Sequence, residues 1–176
     1  AVAITGTTAE MIAALVTAGT LVVVSDAAVT ISDIPTIAEL NAIAAKTTGV
    51  VTATLAANSL ANLSALTTAG TDAITITVND ADAEALTAAN LSTLGGKTAG
   101  TVTVTNAVAI TGDHDQVTAA LVTADTKVEV SDATVTINDA DEVAITAAEL
   151  SAIGGSTTGL VTVTNAVAIT GDHDQV

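Results

Sequence analysis

Apolar and small polar residues alternate with a period of two along several segments of the chain. In VTVTNAVAI, the valines and Ile110 fall on one parity of position, whereas Thr103 and Thr105 fall on the other. Such alternation predicts a β-strand with one buried face. We expect six extended segments: VVV from Val22, VVTATL from Val50, ITITV from Ile74, VTVTNAVAI from Val102, VEVSDATVTI from Val128 and VTVTNAVAI from Val161.

Between these segments, apolar residues recur at spacings of three and four, which is typical of the buried stripe of a short helix. Six stripes have this spacing: Ile12, Leu15 and Val16; Leu40 and Ile43; Leu60, Leu63 and Leu66; Leu91 and Leu94; Val117 and Leu121; Leu150 and Ile153. Four helices should begin at a capping box: Thr7 with Glu10, Thr36 with Glu39, Asp113 with Gln116, and Thr146 with Glu149. The pairs Gly95-Gly96 and Gly154-Gly155 follow helical stretches, so we expect left-handed helix ends there rather than phosphate loops.

The chain repeats itself in two registers. Residues 102–117 and 161–176 are identical, and the same offset of 59 places residues 79–117 on residues 138–176. An offset of 106 places the segment from Gly6 on the segment from Gly112. Both registers divide into units of about 23 to 32 residues, each a helix, a Gly or Thr turn and a strand, and periods of this size are typical of solenoids.

These patterns predict an α/β fold: a parallel-sheeted solenoid of about six strand-plus-short-helix coils, with helices covering one side. Each short helix is unstable alone and needs the strands of its own and neighbouring coils. Residues 1–176 should form a single array, about 30 Å long at the usual strand spacing. The sequence AVAITG at Ala1 recurs at Ala107 and Ala166, and neither end has a polar capping repeat, so we expect a segment of a longer array that associates head to tail or laterally.

The amino-acid composition disfavours some classes of binding partner. The 176 residues include no Phe, Tyr, Trp or Cys, so Val, Ile, Leu and Ala must fill a thin core. Three Lys, no Arg and a formal net charge of -16 disfavour nucleic acid and anionic lipid, because no cationic surface can replace their counterions. No apolar run approaches the roughly twenty residues that span a bilayer, so we expect no membrane insertion, and carbohydrate binding stays open.

The two histidines are the first candidate residues for a metal site. His114 and His173 each stand in GDHDQV, where an Asp-His-Asp cluster could bind a metal. In the solenoid they would lie two coils and roughly 10 Å apart, too far to share one ion. We therefore expect Asp113 or Asp172 to cap a helix and leave the histidine in solvent. No residue has the surroundings of a catalytic nucleophile, so the sequence predicts no enzyme and assigns no catalytic, cofactor-binding or metal-ligating residue.

Aspartates recur where a strand is followed by a helix, at Asp33, Asp80, Asp113, Asp139 and Asp172. The last four come from successive predicted coils and would form a column of carboxylates at about 5 Å spacing. Such a column is repulsive unless helix N-termini or a divalent cation absorb the charge. We expect each aspartate to cap its own helix, the one that follows it in the chain, with calcium as the alternative.

Outward threonine pairs form a second candidate surface. The pairs are Thr52 and Thr54, Thr75 and Thr77, Thr103 and Thr105, and Thr162 and Thr164. They resemble the flat threonine faces of ice-binding solenoids, although Val23 with Ser25 and Glu129 with Ser131 interrupt the series. Threonine also simply suits a solvent-facing strand, and it can carry O-linked sugar.

Three longer phrases carry a resemblance to a protein class: AELNAIAAKTTGVVTATLAANSLANLSAL, ITITVNDADAEALTAANLSTLGG and VTNAVAITGDHDQVTAALVTADTKVEVSD. In repeat style they resemble very large surface or secreted proteins of marine cyanobacteria and fibre proteins of their phages. The resemblance implies an extracellular, cell-surface or virion location and supplies no functional residues. We therefore expect a structural module of a fibre, stalk, adhesin or matrix protein, with a calcium-binding or ice-binding module as the alternative.

Overall fold

The structure, a computed structural model, describes residues 2–123 and 128–171. Within these residues the chain is a mixed α/β protein of twelve short strands and six short helices. The strands are β1 Ala3–Gly6, β2 Ala28–Ile31, β3 Val51–Thr54, β4 Ala73–Val78, β5 Ala85–Thr87, β6 Val102–Val104, β7 Ala109–Gly112, β8 Val128–Val130, β9 Thr134–Ile137, β10 Ala144–Thr146, β11 Val161–Val163 and β12 Ala168–Thr170. The helices are α1 Thr8–Met11, which continues as a π-helical stretch Ile12–Val16, α2 Ile37–Ala44, α3 Leu60–Leu63, α4 Ala88–Gly95, α5 His114–Leu121 and α6 Ala147–Gly154.

The strands form parallel sheets throughout. One sheet has the order β1-β2-β3-β4-β6-β8, a second has the order β11-β9-β7-β5, and β10 pairs with β12. Paired residues lie 21 to 26 positions apart in the chain, from Thr52 with Ala73 to Ile76 with Val102. We call each such strand-to-strand passage a coil. Each coil returns the chain to lie beside the strand it has just left, and parallel pairing requires such a crossover.

The alternation of the sequence matches the buried face of the strands. Val102, Val104, Val108 and Ile110 are at most 2% exposed, whereas Thr105 is exposed. Most of the predicted helix stripes are also buried, but four of their residues are only half-buried: Ile12, Val16, Leu121 and Leu150. Neighbouring helices pack on one another, α3 on α4, α4 on α5 and α5 on α6, so strands and helices of successive coils share one apolar core.

The predicted helix starts are confirmed, but the predicted helix ends are wrong. All four capping boxes are present, with reciprocal bonds between cap and third residue. Gly96 and Gly155, however, have φ of -67° and -75°, in the right-handed region. The reason is that Lys97 N and Ser156 N donate to the carbonyls of Leu94 and Ile153, which closes another right-handed turn.

The extended segments differ from the prediction in three ways, and the first is that β5 and β10 lie outside all six predicted segments. The VVV segment from Val22 is not a strand, and β2 lies at Ala28–Ile31 instead. The long segments from Val102, Val128 and Val161 are each two strands separated by a bend. At the first bend, the Asn106 side-chain amide donates to the Asp80 carbonyl at 2.6 Å. This bend preserves the parity of the buried positions, from Val104 to Val108, so the pattern alone could not reveal it. In the segment from Val128 the buried parity does change, from Val128 to Ala133, so that bend had a signal in the sequence.

Candidate functional site

Three aspartates cap the helix of the preceding coil. The Asp33 carboxylate accepts both the backbone N–H and the hydroxyl of Thr8 at 2.6 Å. Asp80 accepts the backbone N–H of Leu60 at 2.7 Å, and Asp139 accepts that of His114 at 2.8 Å. In each case the donor is the first residue of a helix, whose N–H has no acceptor inside the helix. We call these three contacts the cross-coil caps.

The prediction of a column of aspartates is therefore wrong about which helices these residues cap. Capping is confirmed, but Asp33, Asp80 and Asp139 cap a neighbouring helix, whereas Asp113 caps its own helix by accepting Gln116 N at 2.8 Å. Asp172 and His173 lie outside the described residues. The sequence does carry a signal for the difference, because each cross-coil aspartate follows Ser or Asn at the end of a strand, while Asp113 follows Gly112.

Calcium binding would require several acidic side chains to converge on one point. Among residues 2–123 and 128–171, no group of three or more His, Cys, Asp or Glu side chains could hold a metal ion. Oδ1 of Asp33 accepts two hydrogen bonds from the preceding coil, and each oxygen of Asp139 makes one hydrogen bond to it. Calcium stabilisation of the chain stays a prediction.

His114 does not point into solvent, contrary to the prediction. Its Nδ1 lies 2.7 Å from Asp139 Oδ1, its Nε2 lies 3.4 Å from Asp115 Oδ1, and its side chain is only 14% exposed. The position equivalent to His114 at the offset of 106 is Thr8, whose hydroxyl bonds to Asp33 in the same way. His114 therefore makes two contacts with Asp139, one from its backbone N–H and one from its ring.

This contact changes the acidity of the histidine. The hydrogen bond to Asp139 raises the pKa of His114 above its ordinary value; burial opposes the rise, and the charges of Asp139, Asp115 and Glu149 add to it. Because the folded pKa exceeds the unfolded pKa, protonation stabilises the fold. That contribution is complete below the unfolded pKa of about 6.5 and is lost as pH rises through the raised folded pKa.

We expect the variant His114→Thr to lose this pH dependence while keeping the cap, because Thr8 shows that threonine can bond to the aspartate through both its N–H and its hydroxyl. The measurement is the free energy of unfolding in urea from pH 5 to pH 9. The stability of the parent chain relative to the variant should fall with rising pH. His173 is present in both proteins and cancels; parallel pH profiles would contradict the assignment.

Three Thr-x-Gly corners also join coils, and the sequence analysis missed them. The hydroxyls of Thr47, Thr98 and Thr157 donate to the carbonyls of Ala27, Ile74 and Ala133 at 2.6 to 2.7 Å. Each hydroxyl also accepts the N–H of the glycine two residues later. The glycine lies so close to the same carbonyl that a Cβ atom would not fit. The recurrence of TTG, TAG and TTG was the available signal.

Asp72 makes a further contact between coils that the sequence did not predict. Its side chain is buried, and its two oxygens accept Val51 N at 2.8 Å and Ala69 N at 2.9 Å. The first bond reaches back to the preceding coil, and the second holds the local turn. A buried carboxylate is tolerated when backbone N–H groups satisfy it in this way.

The predicted threonine pairs do not form one array. Thr52 lies beside Ala73, Thr54 beside Thr75, and Thr103 between Thr77 and Glu129. The hydroxyls of Thr105 and Thr164 donate to carbonyls of the preceding coil. The register instead creates two rows of adjacent threonines: Thr5, Thr30 and Thr52, and Thr87, Thr111, Thr136 and Thr162.

Comparison of the chain with protein-family models, with curated proteins and with solved structures finds no match. The resemblance to cyanobacterial and phage repeat proteins therefore stays a prediction. Within the described part of the chain, no helix has the length and apolar character needed to cross a membrane.

Proposed function

We propose that this chain is a structural repeat module of an extracellular or cell-surface fibre, stalk, adhesin or matrix protein, without catalytic activity of its own. Its coils stack as an α/β solenoid with helices along one side. The observation that carries this proposal is the recurrence of the same contacts between coils at equivalent positions of the repeats.

The cross-coil caps illustrate this recurrence. Thr8 with Asp33 and His114 with Asp139 differ by 106 positions at both partners, the offset of the sequence repeat. The Thr-x-Gly corners repeat as well, since Thr98 with Ile74 and Thr157 with Ala133 differ by 59 positions at both partners, the other offset of the sequence repeat. A coil that offers the same donors and acceptors to each neighbour can be added repeatedly without a new kind of interface, which is the property of solenoid arrays.

The charge and core composition support a spacer role. Nineteen acidic residues and three lysines give a net charge of -16, which keeps neighbouring rods apart and soluble. The core contains only small and medium aliphatic side chains and Met11, so it can remain equally thin along a long array. The resemblance of the repeats to very large surface proteins supports the extracellular or virion location.

Ice binding is the second candidate, because four consecutive strands place Thr87, Thr111, Thr136 and Thr162 in one row. Thr111 and Thr136 are half-buried, however, and the next row along these strands begins with Ala85 and Ala109. Shaping of ice crystals by the chain, lost in Thr136→Lys, would favour this candidate over a purely structural role.

The structural proposal predicts that stability grows with the number of copies. One, two and three copies should be fused so that residue 165 precedes residue 1 of the next copy, because residues 166–171 repeat residues 1–6. Each junction then adds a stacked interface, so the urea midpoint and the steepness of unfolding should rise with copy number. A matched set joined by flexible Gly-Ser linkers controls for length. Equal midpoints in the two sets would contradict the proposal.

A further inference from the structure

An apolar segment near the start of the chain is left exposed. In Leu21–Val24, Leu21 is 97%, Val22 49% and Val23 91% exposed, and Val24 packs against the core. The segment forms no strand. A cavity of about 270 Å³ lies beside it, lined by Leu15, Thr20, Lys46 and the three valines. Consecutive exposed residues of high β-propensity are the kind of segment to which another strand adds.

The internal repeat shows what covers this segment. At the offset of 106, Val22–Val24 corresponds to Val128–Val130, which is β8. Both segments make the same contact with the coil that follows them, because Thr48 N donates to Ser25 O and Thr158 N donates to Ser131 O, both at 2.8 Å. In β8, however, the segment pairs with β6, and the exposed fraction of Val128 is only 9%.

The strand β11 has the sequence of β6 and lacks one of its neighbours. Both strands begin the sequence VTVTNAVAIT. Within the described residues, β6 lies between β4 and β8, whereas β11 pairs with β9 alone. Val102 and Val104 are buried, and their counterparts Val161 and Val163 are half-buried. The strand β11 is thus equivalent to β6 but has no partner equivalent to β8. The segment Val22–Val24 is equivalent to β8 but has no partner equivalent to β6.

We propose that β11 of one copy docks on Val22–Val24 of a second copy of this chain. The register of β6 with β8 sets the pairs: Val161 beside Val22, Thr162 beside Val23 and Val163 beside Val24. The parallel bonds would complete both open edges and cover Val22 as Val128 is covered. This proposal rests on the proposed function, because it assigns the residues through which stacked modules join.

Docking also requires that β12 of the first copy replace β1 of the second copy. The strand that follows β11 is β12, which has the sequence of both β7 and β1. In the internal precedent, β7 lies beside β9, and the counterpart of β9 is β2, which already pairs with β1. The incoming β12 and the resident β1 therefore compete for one place, and docking exchanges one for the other. The exchange leaves the pairing of β2 unchanged, so the net gain comes from the newly paired Val22–Val24.

Sedimentation equilibrium of the full chain tests the docking edge. The parent chain should associate with increasing concentration. Val22→Asp should weaken association by about tenfold or more, because the charge would be covered without a partner. Val23→Glu is the matched control, since glutamate stands at the equivalent position 129 of β8; it should leave association within about twofold. Both variants alter residues that are exposed in the single copy, so its fold should persist.

A reversible cross-link tests the exchange. Thr5 and Thr30 lie side by side in β1 and β2, and the chain has no cysteine, so the double variant Thr5→Cys with Thr30→Cys allows one specific disulfide. Its oxidised form should stay monomeric, and its reduced form should associate like the parent. Equal association of both forms would overturn the exchange. A parent chain that stays monomeric, or Val22→Asp associating normally, would overturn the docking edge, whereas fused copies would still test the proposed function independently.

Discussion

Replacing Ile76 by Asp should cost about 4 kcal/mol or more of folding free energy, because it buries a charge without a partner. Ile76 is fully buried in the middle of β4, between coils on both sides, and its N–H donates to the Thr101 carbonyl. A loss of this size is a large fraction of the stability of an ordinary domain. Circular dichroism with urea titration should show a chain that is largely unfolded or unfolds at much lower urea.

Thr75→Asp provides the matched control. It adds the same charge one residue earlier in the same strand, but Thr75 is exposed and lies opposite Thr54. A surface substitution of this kind should cost less than about 1 kcal/mol. Equal losses for the two variants would mean that β4 does not present Ile76 to the core and Thr75 to solvent.

Gly100→Ala should also be strongly destabilising, although it adds a single methyl group. The added Cβ would meet the Ile74 carbonyl oxygen of the preceding coil at less than contact distance. That carbonyl also accepts the Thr98 hydroxyl at 2.7 Å, so relieving the clash separates the two coils at a corner. We expect a loss of about 2 to 4 kcal/mol, from overpacking and a strained hydrogen bond.

Gly154→Ala is the control for this substitution. Gly154 lies in the last turn of α6, and a Cβ there would meet no atom within 4 Å. Alanine should therefore stabilise the helix by up to about 1 kcal/mol. Urea midpoints that move in opposite directions for the two glycines would support the close approach of coils at Gly100. A loss at Gly100 no larger than the effect at Gly154 would contradict it.

The sequence predicts local structure well where the determinants are local. The capping box of Thr36 with Glu39 needs residues three positions apart, and it is present. The buried parity of Val102 and Val104 follows from alternation alone. Gly96 shows where a local rule failed, because the bond from Lys97 N to the Leu94 carbonyl continued the right-handed turn.

Contacts between coils depend on register, which local patterns do not determine. Asp139 was expected to cap its own helix, yet it bonds to His114, 25 positions earlier. Likewise, the lateral pairing of Thr52 with Ala73 rather than Thr75 removed the expected threonine array. Val22–Val24 has the β-branched composition of a strand but no strand beside it in the single chain, and sequence alone does not show which strands will find a partner.

The central claim is that coils stack into a rod that grows by addition of identical modules. Small-angle X-ray scattering of one, two and three fused copies tests it most directly. Each added copy contributes six new strand levels, because its β1 takes the place of β12 beside β11 in the copy before it. At about 4.8 Å per level, the particle should lengthen by about 29 Å per copy while the radius of its cross-section stays unchanged. A cross-section that widens with copy number, or lengths that vary as for beads on a flexible string, would contradict the stacked array.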